Sequence, residues 1–153
     1  MTITREGLLS PAELAERVGE LTRRPADWIA RVRLDAEGRW YERIHIDASY
    51  EIWLISWLPG HSTGFHDHGG SAGAFAVVWG DLDEYQLGER ERRVSPGSVR
   101  SFGPRYVHDV RNTSDSSVAV SVHAYSPPLS EMTRYRQTPE GLVVMGTEGE
   151  ADW

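Results

Sequence analysis

Between residues 40 and 125 the chain is a series of short apolar segments, rich in β-branched and aromatic residues and separated by Gly, Pro, Asn, Asp and Ser. This composition favours strands joined by turns, and no helical periodicity lies between them. We predict strands over residues 40–46, 50–58, 74–78, 82–87, 98–102, 107–111 and 118–125. Seven or more strands without intervening helices indicate an all-β sandwich or barrel.

The segment before the strands carries a helical signal instead. Ser10-Pro11-Ala12-Glu13 offers an N-cap serine, a proline at the first helical position and a glutamate three residues after the cap. Apolar residues then recur at helical spacing, at Leu14, Val18 and Leu21. We predict a helix over about residues 11–22, packed on the strands, and a second helical turn that ends near residue 33.

The length of 153 residues and the apolar content of 39% fit one domain with a sizeable core. We therefore interpret residues 1–153 as a single domain, with helices over about 10–33 and a barrel over about 39–147. A last hairpin is predicted from residues 134–137 and 142–145, and the tail from residue 148 is expected to be loose.

Charge and cysteine content exclude several classes of function. Sixteen basic and twenty-three acidic residues give a net charge of −7, which disfavours nucleic acid or an anionic membrane as a partner. The absence of cysteine excludes disulfides, thiolate metal sites and a cysteine nucleophile, and leaves His, Asp and Glu as strong metal ligands. We find no secretory signal and no apolar run long enough to span a membrane, so we expect a cytoplasmic protein, and we expect a monomer.

Residues 60–68, Gly-His-Ser-Thr-Gly-Phe-His-Asp-His, bring two histidines to alternate positions. Alternate side chains of a strand share a face, so His66 and His68 can turn into one cavity. Neutral imidazole is the commonest metal ligand in proteins, and this pair needs at least one more ligand to hold a divalent ion, for which the chain offers His108. The alternative is that the two histidines are polar residues of a turn.

The same stretch resembles the first motif of the cupins. Gly60, His66, His68 and Gly80 keep the spacing of that motif. It departs from the motif at Gly73, which stands where a glutamate is usual.

A second stretch resembles the second cupin motif. Gly97, His108 and Asn112 keep its spacing, whereas its proline is shifted by one residue to Pro104 and Arg105 replaces a glycine. The resemblance implies an all-β cupin jelly-roll barrel with a short N-terminal helical segment. It also implies that the mouth of the barrel holds a metal on the three histidines.

The glycine at position 73 has a chemical consequence. Three neutral imidazoles leave the charge of a divalent metal uncompensated and three adjacent coordination positions free, which suits an anionic, chelating substrate together with dioxygen. Cupins with this loss resemble the thiol dioxygenases, and the similarity to cysteine dioxygenase type I extends from about Tyr41 to Pro128. Animal members of that family carry a cysteine at the position of Gly73, joined to the active-site tyrosine. The resemblance therefore implies a tyrosine without this crosslink here.

Ser121-x-His123-x-Tyr125 resembles the outer-shell relay of the same family, and Ser126-Pro127-Pro128 resembles the segment that follows the relay. Alternation puts the three relay side chains on one strand face. The resemblance implies catalytic roles for Ser121, His123 and Tyr125, with the free phenol donating a hydrogen bond toward oxygen or the substrate carboxylate. The alternative is a plain half-buried strand.

Tyr41-Glu42-Arg43 resembles the family's Tyr-x-Arg segment, whose arginine holds the carboxylate of cysteine. Compared with animal members, the alignment needs a gap of about three residues between this segment and the metal motif. An arginine fork matches a carboxylate in charge and in bidentate geometry, so we expect Arg43 and Tyr41 to bind the substrate. The alternative is a surface arginine. Three competitors lie nearby in the sequence: Arg31, Arg33 and Arg39.

On this resemblance we expect Fe(2+)-dependent conversion of L-cysteine and O2 to cysteine sulfinic acid, with no organic cofactor. Two alternatives stay open. One is a dioxygenase of 3-mercaptopropionate or another small thiol, although related enzymes for 3-mercaptopropionate tend to carry glutamine at the arginine position. The other is a zinc- or nickel-filled cupin that binds without turnover, because three histidines alone do not select iron over other divalent ions.

Overall fold

The structure, a computed structural model, describes residues 7–150. Its helical part is α1 (Pro11–Thr22), followed by the 3-10 turns Pro25–Asp27 and Ile29–Arg31. The strands are β1 (Trp40–Ile46), β2 (Glu51–Trp57), β3 (Phe65–His66), β4 (Ala72–Trp79), β5 (Leu82–Tyr85), β6 (Arg92–Val94), β7 (Val99–Phe102), β8 (Asp109–Arg111), β9 (Ala119–Ser126), β10 (Glu131–Thr138) and β11 (Gly141–Gly149). No helix within this part of the chain is long and apolar enough to cross a membrane.

The strands pair antiparallel in three sheets. The largest sheet has the order β1-β2-β9-β4-β7, and two three-stranded sheets have the orders β6-β5-β8 and β11-β10-β3. Strand β9 is therefore the centre of the largest sheet, with β2 on one side and β4 on the other. All eight residues of β9 are buried, as a central strand covered on both faces requires.

The two faces of the five-stranded sheet have different partners. On β9, Val122 and Ala124 belong to the core cluster that includes Leu14 and Val18 of α1, so the helix covers this face. Leu14 and Val18 are fully buried, and each burial stabilises the fold by about 1.5–3 kcal/mol. The alternate residues of β9 face the second core cluster, in the interior of the barrel.

The predicted first helix is confirmed at residues 11–22. Ser10 Oγ accepts a hydrogen bond from the backbone N–H of Glu13 at 3.2 Å, and the backbone N–H of Ser10 donates to Glu13 Oε1 at 3.2 Å. This reciprocal pair satisfies amide groups that have no partner within the helix. The second helical turn is also present, as the two short 3-10 turns that end at Arg31.

All seven predicted strands are present, and strand 40–46 has the predicted bounds. The last hairpin is longer than predicted, because β10 and β11 together span residues 131–149. The prediction of a loose tail is therefore wrong for residues 148 and 149, which end β11, whereas residues 151–153 lie outside the described part of the chain. Two short strands, β3 and β6, were not predicted.

Candidate metal centre and its cavity

Three histidines converge where β3 meets the residue before β8. His66 and His108 exchange backbone hydrogen bonds, with His66 N to His108 O at 3.0 Å and His108 N to His66 O at 3.1 Å. One ligand nitrogen from each of His66, His68 and His108 lies within 4.8 Å of the other two. All three side chains are buried. The structure thus brings together the three residues predicted as metal ligands.

The ring of His68 shows what this cluster is suited to hold. Both of its nitrogens are buried, and neither makes a well-formed hydrogen bond with a described residue, although the backbone of Tyr106 is near enough to the ring to offset part of the effect of burial on its pKa. A buried polar group without a good partner costs about 1–3 kcal/mol, and a metal ion at the centre of the cluster would remove that cost for the nitrogen that binds it. The donor set therefore fits a divalent metal.

The protonation state of the cluster also suits metal binding. Burial, followed by the proximity of His108, holds the pKa of His66 well below its usual value. Burial, followed by the proximity of His66 and His108, does the same to the pKa of His68. Both rings are consequently neutral at neutral pH, which is the form that binds metal. The Nδ1–H of His66 donates to the carbonyl oxygen of Gly64 at 2.9 Å, so its Nε2 is the free ligand atom.

Strand β4 leaves no room for a fourth protein ligand at Gly73. A Cβ built at this position would overlap the ring of Phe102 and would lie 3.1 Å from Cδ1 of Tyr125. The space that a glutamate side chain would need is filled by these two rings. The structure therefore accounts for the glycine in physical terms: a larger residue here would displace Phe102 or Tyr125.

A cavity of about 470 Å³ opens beside the histidines. His66 and His108 line it, together with His123 and Tyr125 of β9. Its other walls mix apolar side chains with charged ones, and it is large enough for a small organic molecule.

The three predicted relay residues lie on the interior face of β9. Trp57 Nε1–H donates to Ser121 Oγ at 2.9 Å, and Ser121 Oγ lies 2.6 Å from Nε2 of His123. Nδ1 of His123 lies 3.5 Å from the hydroxyl of Tyr125. The Tyr125 ring stacks on His68 with 5.3 Å between ring centroids. The structure thus joins Ser121, His123 and Tyr125 in one line that ends beside the histidine cluster.

Burial controls the charge of this line. It lowers the pKa of His123 to about 3, with smaller contributions in the same direction from His108 and Arg39. Burial also raises the pKa of Tyr125 well above its usual value, and the nearby charge of Glu51 acts in the same direction. At neutral pH the imidazole is therefore neutral and the phenol keeps its proton, so Tyr125 is available as a hydrogen-bond donor.

Arg43 does not line the cavity, whereas Tyr41 does. The Arg43 guanidinium lies 3.3 Å from Oε2 of Glu51 and 3.4 Å from Oε1 of Glu150, and it covers the ring of Trp53 at 5.4 Å. The Glu51 side chain is fully buried and needs a positive partner. Arg43 is therefore engaged in compensating a buried carboxylate, and its role at the substrate stays a prediction.

Arg39 lies in the cavity wall instead. Its guanidinium stacks over Trp57 at 5.3 Å and makes no hydrogen bond or ion pair with another residue within 7–150. Burial, followed by the charge of Arg134, lowers the pKa of Arg39. The second arginine of the wall, Arg134, is already compensated, because its Nε lies 3.0 Å from Oε2 of Glu148. Of these two arginines, Arg39 is thus the one whose guanidinium has no hydrogen-bond partner within residues 7–150. The sequence offered it only as an alternative to Arg43.

The register of the β1–β2 hairpin explains why Arg39 lines the cavity and Arg43 does not. Trp40 pairs with Ser56 and Arg43 with Trp53, so Arg39 lies one position beyond the paired residues, beside Trp57. The tight turn at Asp47, whose Oδ1 accepts from the amides of Ser49 and Tyr50, sets this register together with the irregular pairing between Arg43 and His45. In the sequence, the short connection between the two strands is the signal that bears on which arginine reaches the cavity.

A family model described as cysteine dioxygenase type I matches residues 10–138. The chain is 26% identical over 129 residues to cysteine dioxygenase type 1 of Danio rerio, and 25% identical over 128 residues to that of Homo sapiens. Each match covers 74% of this chain and 63% of the relative. The chain thus spans less than two thirds of the length of these relatives.

Solved structures agree with the fold. The protein TT1209 from Thermus thermophilus superposes with a TM-score of 0.58 at 25% identity, over 65% of this chain and 94% of that one. A protein with a double-stranded β-helix domain from Klebsiella pneumoniae superposes with a TM-score of 0.58 at 15% identity, over 76% and 91%. The predicted all-β cupin jelly roll with an N-terminal helical segment is confirmed.

Proposed function

This chain belongs to the cysteine dioxygenase type I family, and from that membership we propose that it uses Fe(2+) to convert L-cysteine and O2 to cysteine sulfinic acid. In this proposal His66, His68 and His108 hold the metal, Arg39 and Tyr41 bind the substrate, and the Ser121, His123 and Tyr125 line assists the reaction.

One observation carries the proposal: two imidazoles of the histidine cluster, those of His66 and His108, line a single cavity together with an unpaired guanidinium. A divalent ion on the histidines would bring two positive charges, and Arg39 adds a third. The carboxylate of Glu148 is occupied by Arg134, so it does not offset them. A substrate with a thiolate at one end and a carboxylate at the other supplies the missing negative charge at both places.

The residues of the cavity have separable tasks in this proposal. Iron, when bound, would supply the redox chemistry by which both atoms of O2 add to the sulfur of the thiol, RSH + O2 giving RSO2H. Arg39 would orient the substrate by donating two hydrogen bonds to its carboxylate, and the indole of Trp57 would hold the guanidinium in place. Tyr125 would donate its phenol hydrogen to the carboxylate or to developing negative charge on oxygen, while Ser121 and His123 hold the phenol from behind.

A second substrate is favoured by one observation. Glu148 lines the cavity but is paired with Arg134, so it offers no free carboxylate to a substrate ammonium group. 3-Mercaptopropionate has the same thiol and carboxylate as cysteine and lacks the amine. Its thiolate and carboxylate would compensate the positive charges of the metal ion and Arg39, and it has no ammonium group that needs a carboxylate partner.

Oxygen consumption with a panel of thiols tests the function directly. The protein should be purified anaerobically, analysed for metal, loaded with Fe(II) and given L-cysteine, 3-mercaptopropionate and cysteamine. We expect O2 uptake in equal amount to thiol consumed, a sulfinic acid product by mass, and much slower turnover of cysteamine, which lacks the carboxylate. Cysteine and 3-mercaptopropionate are separated by their kcat/KM values. An iron-loaded protein that consumes no O2 with any thiol would support the non-catalytic metal-binding cupin instead.

Replacing Tyr125 by phenylalanine should lower turnover by roughly ten- to a thousandfold, because it removes one positioned hydrogen-bond donor. Iron content should not change, since the phenol is not a member of the histidine cluster. Tyr135→Phe is the matched control: it also removes one phenol hydroxyl, but that hydroxyl donates to Asp67 at 2.9 Å outside the cavity. Equal turnover in the two variants would show that the Ser121, His123 and Tyr125 line is structural only.

A further inference from the structure

Glu84, on β5, is a buried carboxylate that meets His108 on the side away from the cavity. The Nδ1–H of His108 donates to Glu84 Oε2 at 2.8 Å. The Tyr106 hydroxyl donates to the same oxygen at 2.8 Å, and Arg100 Nε donates to Oε1 at 2.9 Å. The side chains of Glu84 and His108 are each 2% exposed. The position is fixed by strand pairing, because Glu84 lies opposite Val110 in the ladder between β5 and β8.

This contact determines which nitrogen of His108 can bind a metal. Glu84 forms an ion pair with the Arg100 guanidinium through Oε1 and accepts the Tyr106 hydroxyl on Oε2. A carboxylate that is ion-paired in this way is an acceptor toward His108 as well. Nδ1 of His108 must carry the hydrogen, and the lone pair of Nε2 is left free toward His66 and His68.

The other two histidines have no equivalent support. His66 donates to the neutral carbonyl of Gly64, and His68 faces the backbone of Tyr106, which is also uncharged. Glu84 is therefore the carboxylate that the structure between residues 7 and 150 hydrogen-bonds to this cluster. Arg100 reaches the same carboxylate from the more exposed side: its side chain is 23% exposed, against 2% for that of His108.

We propose that Glu84 is a positioning residue for the metal: it holds His108 in the tautomer that binds through Nε2 and supplies, through that imidazole, the negative charge that position 73 does not. The space at Gly73 is closed by Phe102 and Tyr125, so a carboxylate cannot reach the metal from there. Glu84 brings one from outside the ligand set, as a carboxylate hydrogen-bonded to a ligating histidine. The inference rests on the metal site of the proposed function and not on its thiol chemistry.

Metal affinity of Glu84→Gln tests the inference, and the neighbouring Asp83→Asn is the matched control. Asp83 is also a buried, ion-paired carboxylate of β5, but it pairs with Arg93 at 2.9 Å and with Thr113 at 2.7 Å, and not with a histidine. Affinity for Co(II), and anaerobically for Fe(II), is measured by competition with a chelator. We expect Glu84→Gln to bind each metal about 10–100-fold more weakly than the unmodified protein. Asp83→Asn should bind within about threefold of it.

A merely structural role would lower the melting temperature of the metal-free protein in both variants without separating their metal affinities. Equal affinity of Glu84→Gln and the unmodified protein would overturn the inference. If Glu84→Gln does not fold, the comparison is made between Arg100→Gln, which keeps the carboxylate on His108, and Glu84→Gln/Arg100→Gln, which loses it while burying no unpaired arginine. The same 10–100-fold difference is expected there.

The tautomer of His108 can be measured in the unmodified, metal-free protein by nitrogen NMR. We expect Nδ1 to carry the hydrogen, and a ring protonated on Nε2 would overturn the inference whatever the variants do. These readouts involve no thiol. A protein that binds metal through Glu84 but oxidises no thiol would refute the proposed function and leave this inference standing.

Discussion

Replacing His68 by leucine is expected to abolish iron binding and to leave oxygen uptake at the level of metal-free protein, while the fold becomes more stable. Only two imidazoles would remain at the cluster, too few to hold a divalent ion firmly. Leucine has a similar volume and removes two buried nitrogens that make no well-formed hydrogen bond within residues 7–150. The free energy of unfolding of the metal-free protein should therefore rise by about 1–3 kcal/mol. Metal analysis, oxygen uptake and chemical denaturation after chelation measure the three effects.

His45→Leu provides the comparison for this variant. His45 is half-buried on β1, lies 3.0 Å from Asp47 and stacks on Tyr50 at 4.4 Å, away from the cluster. Iron content and oxygen uptake should match those of the unmodified protein. Full iron occupancy in His68→Leu would remove this residue from the ligand set. A loss of metal-free stability in the same variant would mean that the ring has a structural task instead.

Replacing Arg39 by glutamine is expected to lower kcat/KM for L-cysteine and for 3-mercaptopropionate by about thirtyfold or more. The reason is that losing one partner of a charged, hydrogen-bonded pair in a partly desolvated site costs about 2–5 kcal/mol. Both substrates carry the carboxylate that Arg39 is proposed to hold, so both should suffer. Cysteamine has no carboxylate, and its slow turnover should be nearly unchanged. Initial rates over a range of each thiol give the comparison.

Arg43→Gln separates the role of Arg43, on β1, from that of Arg39, which immediately precedes β1. Its guanidinium is paired with the buried Glu51, so we expect the free energy of unfolding to fall by about 1–3 kcal/mol while kcat/KM changes little. The opposite pattern, with oxidation lost in Arg43→Gln and kept in Arg39→Gln, would show that the carboxylate is held at Arg43 and would return the assignment to the Tyr41-Glu42-Arg43 segment.

The choice between these arginines marks the limit of what sequence could provide. Arg39, Tyr41 and Arg43 are alternate residues of one strand, so alternation assigns all three to the same face and cannot choose among them. The choice depends on how far β1 slides along β2, which the turn at Asp47 and the irregular pairing between Arg43 and His45 set together. A resemblance with a gap in this turn therefore points to the strand but does not by itself choose the arginine.

The strands and the histidines show the same contrast between local and distant signals. Strands such as β2 and β9 could be predicted because β-branched and aromatic residues fill them. Strand β6 has the sequence Arg-Arg-Val, and only its pairing with β5 makes it a strand. Glu84 could not be found from sequence either. Its approach to His108 follows from the pairing of β5 with β8, and nothing local to Glu84 indicates it.

The two sides of the cavity differ in how much sequence change they can tolerate, because one side is a central strand and the other is a hairpin joined to the barrel through β3. Ser121, His123 and Tyr125 stand on a strand that is bonded on both edges and covered by α1, so a change in its backbone would disturb the whole sheet. Arg134 and Glu148 stand on the β10–β11 hairpin, which joins β3 at the pairs Arg134 with His66 and Tyr135 with Phe65. Substitutions and length changes in that hairpin can reshape the room available to a substrate while the reacting groups opposite keep their places. Under the proposed function, new thiol preferences would therefore arise by altering one wall.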